Sequence, residues 1–200
     1  MTRYIGFAAA AAVTAMVGVA FAAEGDQFLI RGDATKGMLE QNMLNVATAE
    51  KIAQACIAEA TKENVKVSIA IMDQFGEPIY FYRMDGQGKT NIDTAFMKAK
   101  TVLNTRQPSK AVMNQVLQGR ASELRQYSFG NFANSGGLPI VVNGNQFVGA
   151  IGVGGSAPRV PVWSDEICAW RALNQVMGKQ PDLLPDVRPA AAAPAPGGRG

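Results

Sequence analysis

Arg83-Met84-Asp85-Gly86 places a guanidinium and a carboxylate two positions apart at the end of an extended run, so both face one side of a strand just before the chain turns. Such a pair is either a surface ion pair that steadies a strand end or a ligand anchor, with Arg83 gripping a carboxylate through paired hydrogen bonds. Asn134-Ser135-Gly136-Gly137-Leu138-Pro139 is a second cluster. Its backbone N–H groups would cradle an anion, or its glycines make an ordinary turn. Cys56 and Cys168 fall on the apolar faces of two helical stretches. They read as two buried small hydrophobes, or as a disulfide if those helices bring their Cα atoms within about 7 Å. A catalytic thiolate has no histidine here to activate it.

The absence of histidine from all 200 residues also removes the usual Cys/His zinc sites, a Ser-His-Asp triad and any histidine-ligated haem. Gly88-Lys89-Thr90 resembles the end of a phosphate-binding loop, but Arg83, within a strand, stands where its first glycine belongs. Gly152-x-Gly154 fits part of a dinucleotide fingerprint, yet Pro158 and Pro161 follow where a helix has to start. Those glycines read instead as a strand crowded by another backbone or as a loop with positive φ. The net charge of +3 is scattered, with no basic stripe for a nucleic acid to follow.

The elements that position these residues follow from periodicity. Val46, Ala49, Ile52, Ala53, Cys56, Ile57 and Ala60 repeat at helical spacing. Val65–Met72 alternates, turns at Asp73–Gly76 and returns through Ile79–Asp85, which is an antiparallel hairpin. Asn91–Thr105 is a second helix, and Pro108-Ser109 starts a shorter third. Pro139–Val142 and Asn145–Val153 flank Asn143-Gly144, which suits a two-residue turn with positive φ. Ser164-Asp165-Glu166 caps a last helix ending at Gly178. The order predicts a single α+β domain with an antiparallel sheet of about five strands flanked by helices. Trp163 falls in an apolar loop and is expected to meet another subunit or to cover a ligand.

Both ends separate from the domain. Arg3 precedes an uncharged run, Tyr4–Ala23, containing Ala20-Phe21-Ala22, so residues 1–22 read as a signal peptide and the destination as periplasmic or secreted. Nothing later reads as a membrane span. Residues 23–44 are an arm, 45–178 the domain, and 179–200 a flexible Pro/Ala/Gly tail.

Taken in order, Ile69–Asp73 with Gly76, Arg83-Met84-Asp85-Gly86, Ala95, Lys98-Ala99-Lys100-Thr101, Gly136-Gly137-x-Pro139-Ile140, Val148–Val153 and Asp165-Glu166 resemble the GlcG/HbpS family of haem-binding and haem-degrading proteins. The resemblance covers about residues 45–178 and implies a homo-oligomer, often an octamer, that takes haem or another planar tetrapyrrole such as a corrinoid. It favours a binding or accessory protein over a catalyst. It also implies that Lys98 joins Arg83, Asp85, Gly136 and Gly137 around the ligand, with Lys98 and Arg83 meeting propionates. Without imidazole, Met84 and Tyr127 become the candidates for the iron. The chain departs from the family pattern in its proline-rich Ser156–Trp163 loop and in having no histidine.

Overall fold

The structure, a computed structural model, describes residues 43–119, 130–144, 146–155 and 162–187. The signal segment 1–22, the arm as far as residue 42, Tyr127, most of the Ser156–Trp163 loop and the tail from residue 188 lie outside the described residues.

Helix α1 (Val46–Lys62) starts where the Asn45 side chain accepts a hydrogen bond from the Thr48 N–H at 2.8 Å. It buries Ala49, Ile52, Ala53, Cys56 and Ala60, as the spacing predicts. Strands β1 (Ser68–Asp73) and β2 (Pro78–Arg83) form the first hairpin. Helices α2 (Lys89–Thr105) and α3 (Ser109–Leu117) follow, then the hairpin of β3 (Gly137–Val142) and β4 (Gln146–Gly154), then α4 (Asp165–Met177). On α4, the Ser164 hydroxyl accepts from the Ile167 N–H at 3.0 Å.

The sheet is antiparallel with order β2-β1-β4-β3, four strands among the described residues rather than about five. Two hairpins supply all four, and no described segment adds to them. Asn143 and Gly144 have φ of +52° and +86°. Val142 nevertheless pairs with Gln146, so the connection is three residues long rather than two, beside an irregularity between Ile140 and Val141.

Helices α1 and α4 cover one face of the sheet, burying Ile69, Ile71, Ile140, Ile151 and Val153 beneath them. Helix α2 covers the other, over Met72 and Ala150, which is why β1 is buried along its whole length. Glycines make this second approach close. A Cβ on Gly152 would lie 1.9 Å from the Ala95 carbonyl oxygen, and one on Gly154 would lie 2.4 Å from that of Asn91. The backbone-crowding explanation of these glycines therefore holds.

Cys56 and Cys168 are joined by a disulfide across the α1–α4 interface, with Cα atoms 5.1 Å apart. Trp163 is 0% exposed, the largest fully buried side chain among the described residues, which corrects its expected place on a subunit or ligand surface. A bridge pairing at Trp163 and the cap of α4 immediately after it turn the ring into the core, whereas its neighbour Val162 stays exposed. The described chain continues past Gly178 as far as residue 187. Residues 179–187 run back along the body, where the Gln180 amide accepts from the Val141 N–H at 3.3 Å and donates to the Val141 oxygen at 3.1 Å.

Candidate functional site

Two lysine–carboxylate pairs lie where α2, α3 and α4 come together beside β3. Asp165 and Glu166 open α4, where unpaired helix N–H groups favour negative charge. Lys98, on the sheet-facing side of α2, donates to Asp165 Oδ2 at 2.7 Å and to the Val153 oxygen at 2.8 Å. Lys110 is the second residue of α3, which follows directly from Pro108, and its Nζ lies 3.4 Å from Glu166 Oε2 and 2.5 Å from Asp186 Oδ1. Asp165 Oδ1 and Glu166 Oε1 are buried with no hydrogen-bond partner among the described residues. Removal from water holds the Glu166 carboxyl above its ordinary value, a shift that the Lys110 charge opposes.

Glu166 and Lys110 stand at the base of a cleft of about 640 Å³. Met113, Leu117, Ile167 and Trp170 supply apolar wall, and Asn134, Ser135 and residues 183–187 complete its rim. An amphipathic site of this size and character suits a largely apolar molecule carrying an anionic group. A second cleft, of about 540 Å³, lies beside β3 and shares Trp170. Its cation, Arg106, stands 4.2 Å over the Phe147 ring, and Gln180 occupies the adjoining strand edge. The first cleft therefore offers the better placed charge.

The residues expected to share a ligand do not form one site. Lys98, Gly136 and Gly137 do meet, but around each other. A Cβ on Gly136 would lie 2.9 Å from Lys98 Nζ, and one on Gly137 would lie 2.5 Å from the Lys98 oxygen. Lys98 is 3% exposed and engaged within the chain, so the glycines admit a helix and its ammonium group rather than a ligand. The Gly137 N–H also donates to Ser109 Oγ at 2.9 Å, which removes it from an anion cradle. Arg83 and Asp85 are exposed at the end of β2, the opposite edge strand. Three strand spacings, about 14 Å, separate that edge from β3. Sheet order thus divides Arg83 from Gly136 and Gly137, which proximity in motif order does not reveal.

Met84 turns its sulfur into the body, where it accepts from the Val67 N–H at 3.3 Å. The thioether that borders the larger cleft is that of Met113. Among the described residues, no group of three Cys, Asp or Glu side chains is placed to hold a metal ion. Lys110 was not singled out from the sequence. Its only local signal is a charge directly after the Pro108-Ser109 helix start, in a short helix that is otherwise uncharged.

A family model described as haem degrading protein, HbpS-like, matches residues 44–174. Protein GlcG of Escherichia coli strain K12 is 34% identical over 119 residues, covering 60% of this chain and 83% of its own. The crystal structure of a double mutant of HbpS from Streptomyces reticuli superposes with a TM-score of 0.59 at 28% identity, over 86% of this chain and 100% of that one. A PduOC–haem complex superposes with a TM-score of 0.57, covering 66% of this chain and 94% of that one, and at 21% identity that likeness extends to the fold alone.

Proposed function

The chain belongs to the HbpS-like family of haem-degrading proteins, and from that premise we propose that it is an exported, oligomeric binding protein for haem or a related tetrapyrrole, held in the cleft between α3 and α4. The observation that carries the reading is the Lys110 ammonium beside the buried Glu166 carboxyl, at the base of walls formed by Met113 and Trp170. Haem, when bound, supplies a flat apolar ring, two propionates and a redox-active iron. Lys110 would meet a propionate, next to the Glu166 carboxyl that burial holds above its ordinary value. Met113 offers the sulfur on that wall, while the chain has no imidazole to give. Binding rather than degradation fits a cleft whose charged groups are Lys110, Arg171 and two carboxylates, with Asp186 paired to Lys110 from the rim and Arg171 paired to Glu59.

Export is supported by the amino-terminal apolar run with Ala20-Phe21-Ala22 and by the Cys56–Cys168 disulfide, since disulfides persist in the periplasm or outside the cell. Among the described residues no helix is long and apolar enough to cross a membrane. Assembly is supported by exposed Val162, Phe75 and Met97. Intact mass of the exported protein, with Ala23 first, tests the one, and light scattering at micromolar concentration tests the other.

Haemin titration followed in the Soret region tests the ligand and its place. Losing one charge-assisted hydrogen bond of about 1.5–3 kcal/mol predicts that Lys110→Met weakens binding by roughly tenfold to a hundredfold. Equal affinity for parent and Lys110→Met, with loss in Arg83→Ala, moves the ligand to the β2 edge.

A further inference from the structure

The cleft already holds one carboxylate, and it belongs to the chain itself. Lys110 is shared by two acids of opposite character. Glu166 is 2% exposed and 3.4 Å away, whereas Asp186 is 2.5 Å away with a side chain 65% exposed. Among the described residues, the Asp186 segment is held across the rim by few hydrogen bonds, with Leu183 packed against the core. Asn114 donates to the Pro185 oxygen at 3.1 Å, and the Trp170 indole N–H donates to the Pro181 oxygen at 3.0 Å. Firmer attachment comes earlier, where Gln180 is buried against β3.

We propose that residues 181–187 form a built-in competitor for the cleft, with Asp186 occupying the place on Lys110 that a carboxylate of the incoming ligand takes. The inference rests on the reading of this cleft as the ligand site. Exchange conserves charge: one carboxylate leaves Lys110 as another arrives, so Glu166 keeps the same balance of neighbours throughout. Asp186 is already largely hydrated and returns to water with little loss, since exposed ion pairs contribute little. Gln180 is the hinge, because its two bonds to Val141 hold the root of the segment while the residues beyond it swing out. The ligand class that follows is an apolar planar acid rather than a neutral ring, since only an acid replaces Asp186.

The test compares haemin binding by the parent, Asp186→Asn, a chain ending at Leu184 and Lys110→Met, with amide hydrogen exchange over residues 181–187 as a second readout. Asp186→Asn and the shortened chain are expected to bind haemin more tightly than the parent, by up to about fivefold, and haemin is expected to speed exchange in 181–187 of the parent. Unchanged or weaker binding in both variants, or slower exchange on adding haemin, overturns the competitor. If Lys110→Met still binds less well in that case, the cleft reading survives and only the competitor is lost. If Lys110→Met equals the parent, the cleft reading fails and the competitor falls with it, as both do if no form binds haemin.

Discussion

Lys98 Nζ lies 2.7 Å from Asp165 Oδ2 with both side chains out of water, tying the middle of α2 to the first residue of α4 across the ends of β3 and β4. The 4% and 10% exposure of the two side chains places this pair among buried ones, where removing one partner strands the other. Lys98→Met is therefore expected to lower stability by about 3–5 kcal/mol, because Asp165 is left charged with one oxygen already lacking a partner. Urea unfolding measures this. Lys98→Met with Asp165→Leu is expected to recover part of the loss, and a double variant no better than the single one argues against an ionic origin.

Glu166 sets a pH dependence of opposite sign to most carboxylates. Burial raises its folded value above the ordinary 4.5, so the folded chain holds the proton more tightly than the unfolded one. Its contribution is complete below 4.5 and is lost as pH rises through the folded value. Glu166→Gln is expected to be more stable than the parent near neutrality, with the difference closing as pH falls to about 4. Lys110 keeps Asp186 in that variant. Urea midpoints across this range decide, and a constant difference at every pH counts against the assignment. Glu59 behaves the other way. A hydrogen bond from Lys62 lowers its value, with Arg171 adding to the effect, so its contribution is present above 4.5 and fades in acid.

Gly152 and Gly144 separate crowding from backbone strain. A Cβ at Gly152 meets the Ala95 oxygen, so Gly152→Ala has to push α2 off β4 and is expected to lose about 3 kcal/mol or more. Gly144 has φ of +86° with nothing within 4 Å, so Gly144→Ala meets strain alone, about 1–2 kcal/mol. Guanidinium unfolding of the two variants side by side tests the ranking.

The Cys56–Cys168 bond spans 112 residues, a long loop whose closure restricts the unfolded chain strongly. Replacing both cysteines by alanine is expected to remove about 2–5 kcal/mol while leaving α1 against α4, because Ala49, Ile52 and Ala169 still pack there. Denaturant midpoints measure the loss. Far-ultraviolet circular dichroism of the folded variant checks that the helices remain.

What the sequence determined by itself was local. The apolar spacing from Val46 to Ala60, the alternation through β1 and the Ser164 cap of α4 are each carried by neighbours within about four residues, where chain geometry alone decides who meets whom. The order of these elements along the chain carried the α+β class. Even Asn143-Gly144 was legible as a turn, although its length was not, because the bulge that lengthens it depends on how β3 lies on β4. Lys98 and Asp165 are 67 residues apart, and nothing within either segment marks them as partners. Arg83 and Gly137 look alike as loop-side motifs, yet strand order puts them on opposite edges. Trp163 reads as loop until the core closes over it. The Lys110, Glu166 and Asp186 cluster draws on three separate segments. Burial and pairing at such positions come from the packing of segments that no local period relates, so only the tertiary structure sets which charges share a cleft and which acid is held above its ordinary pKa.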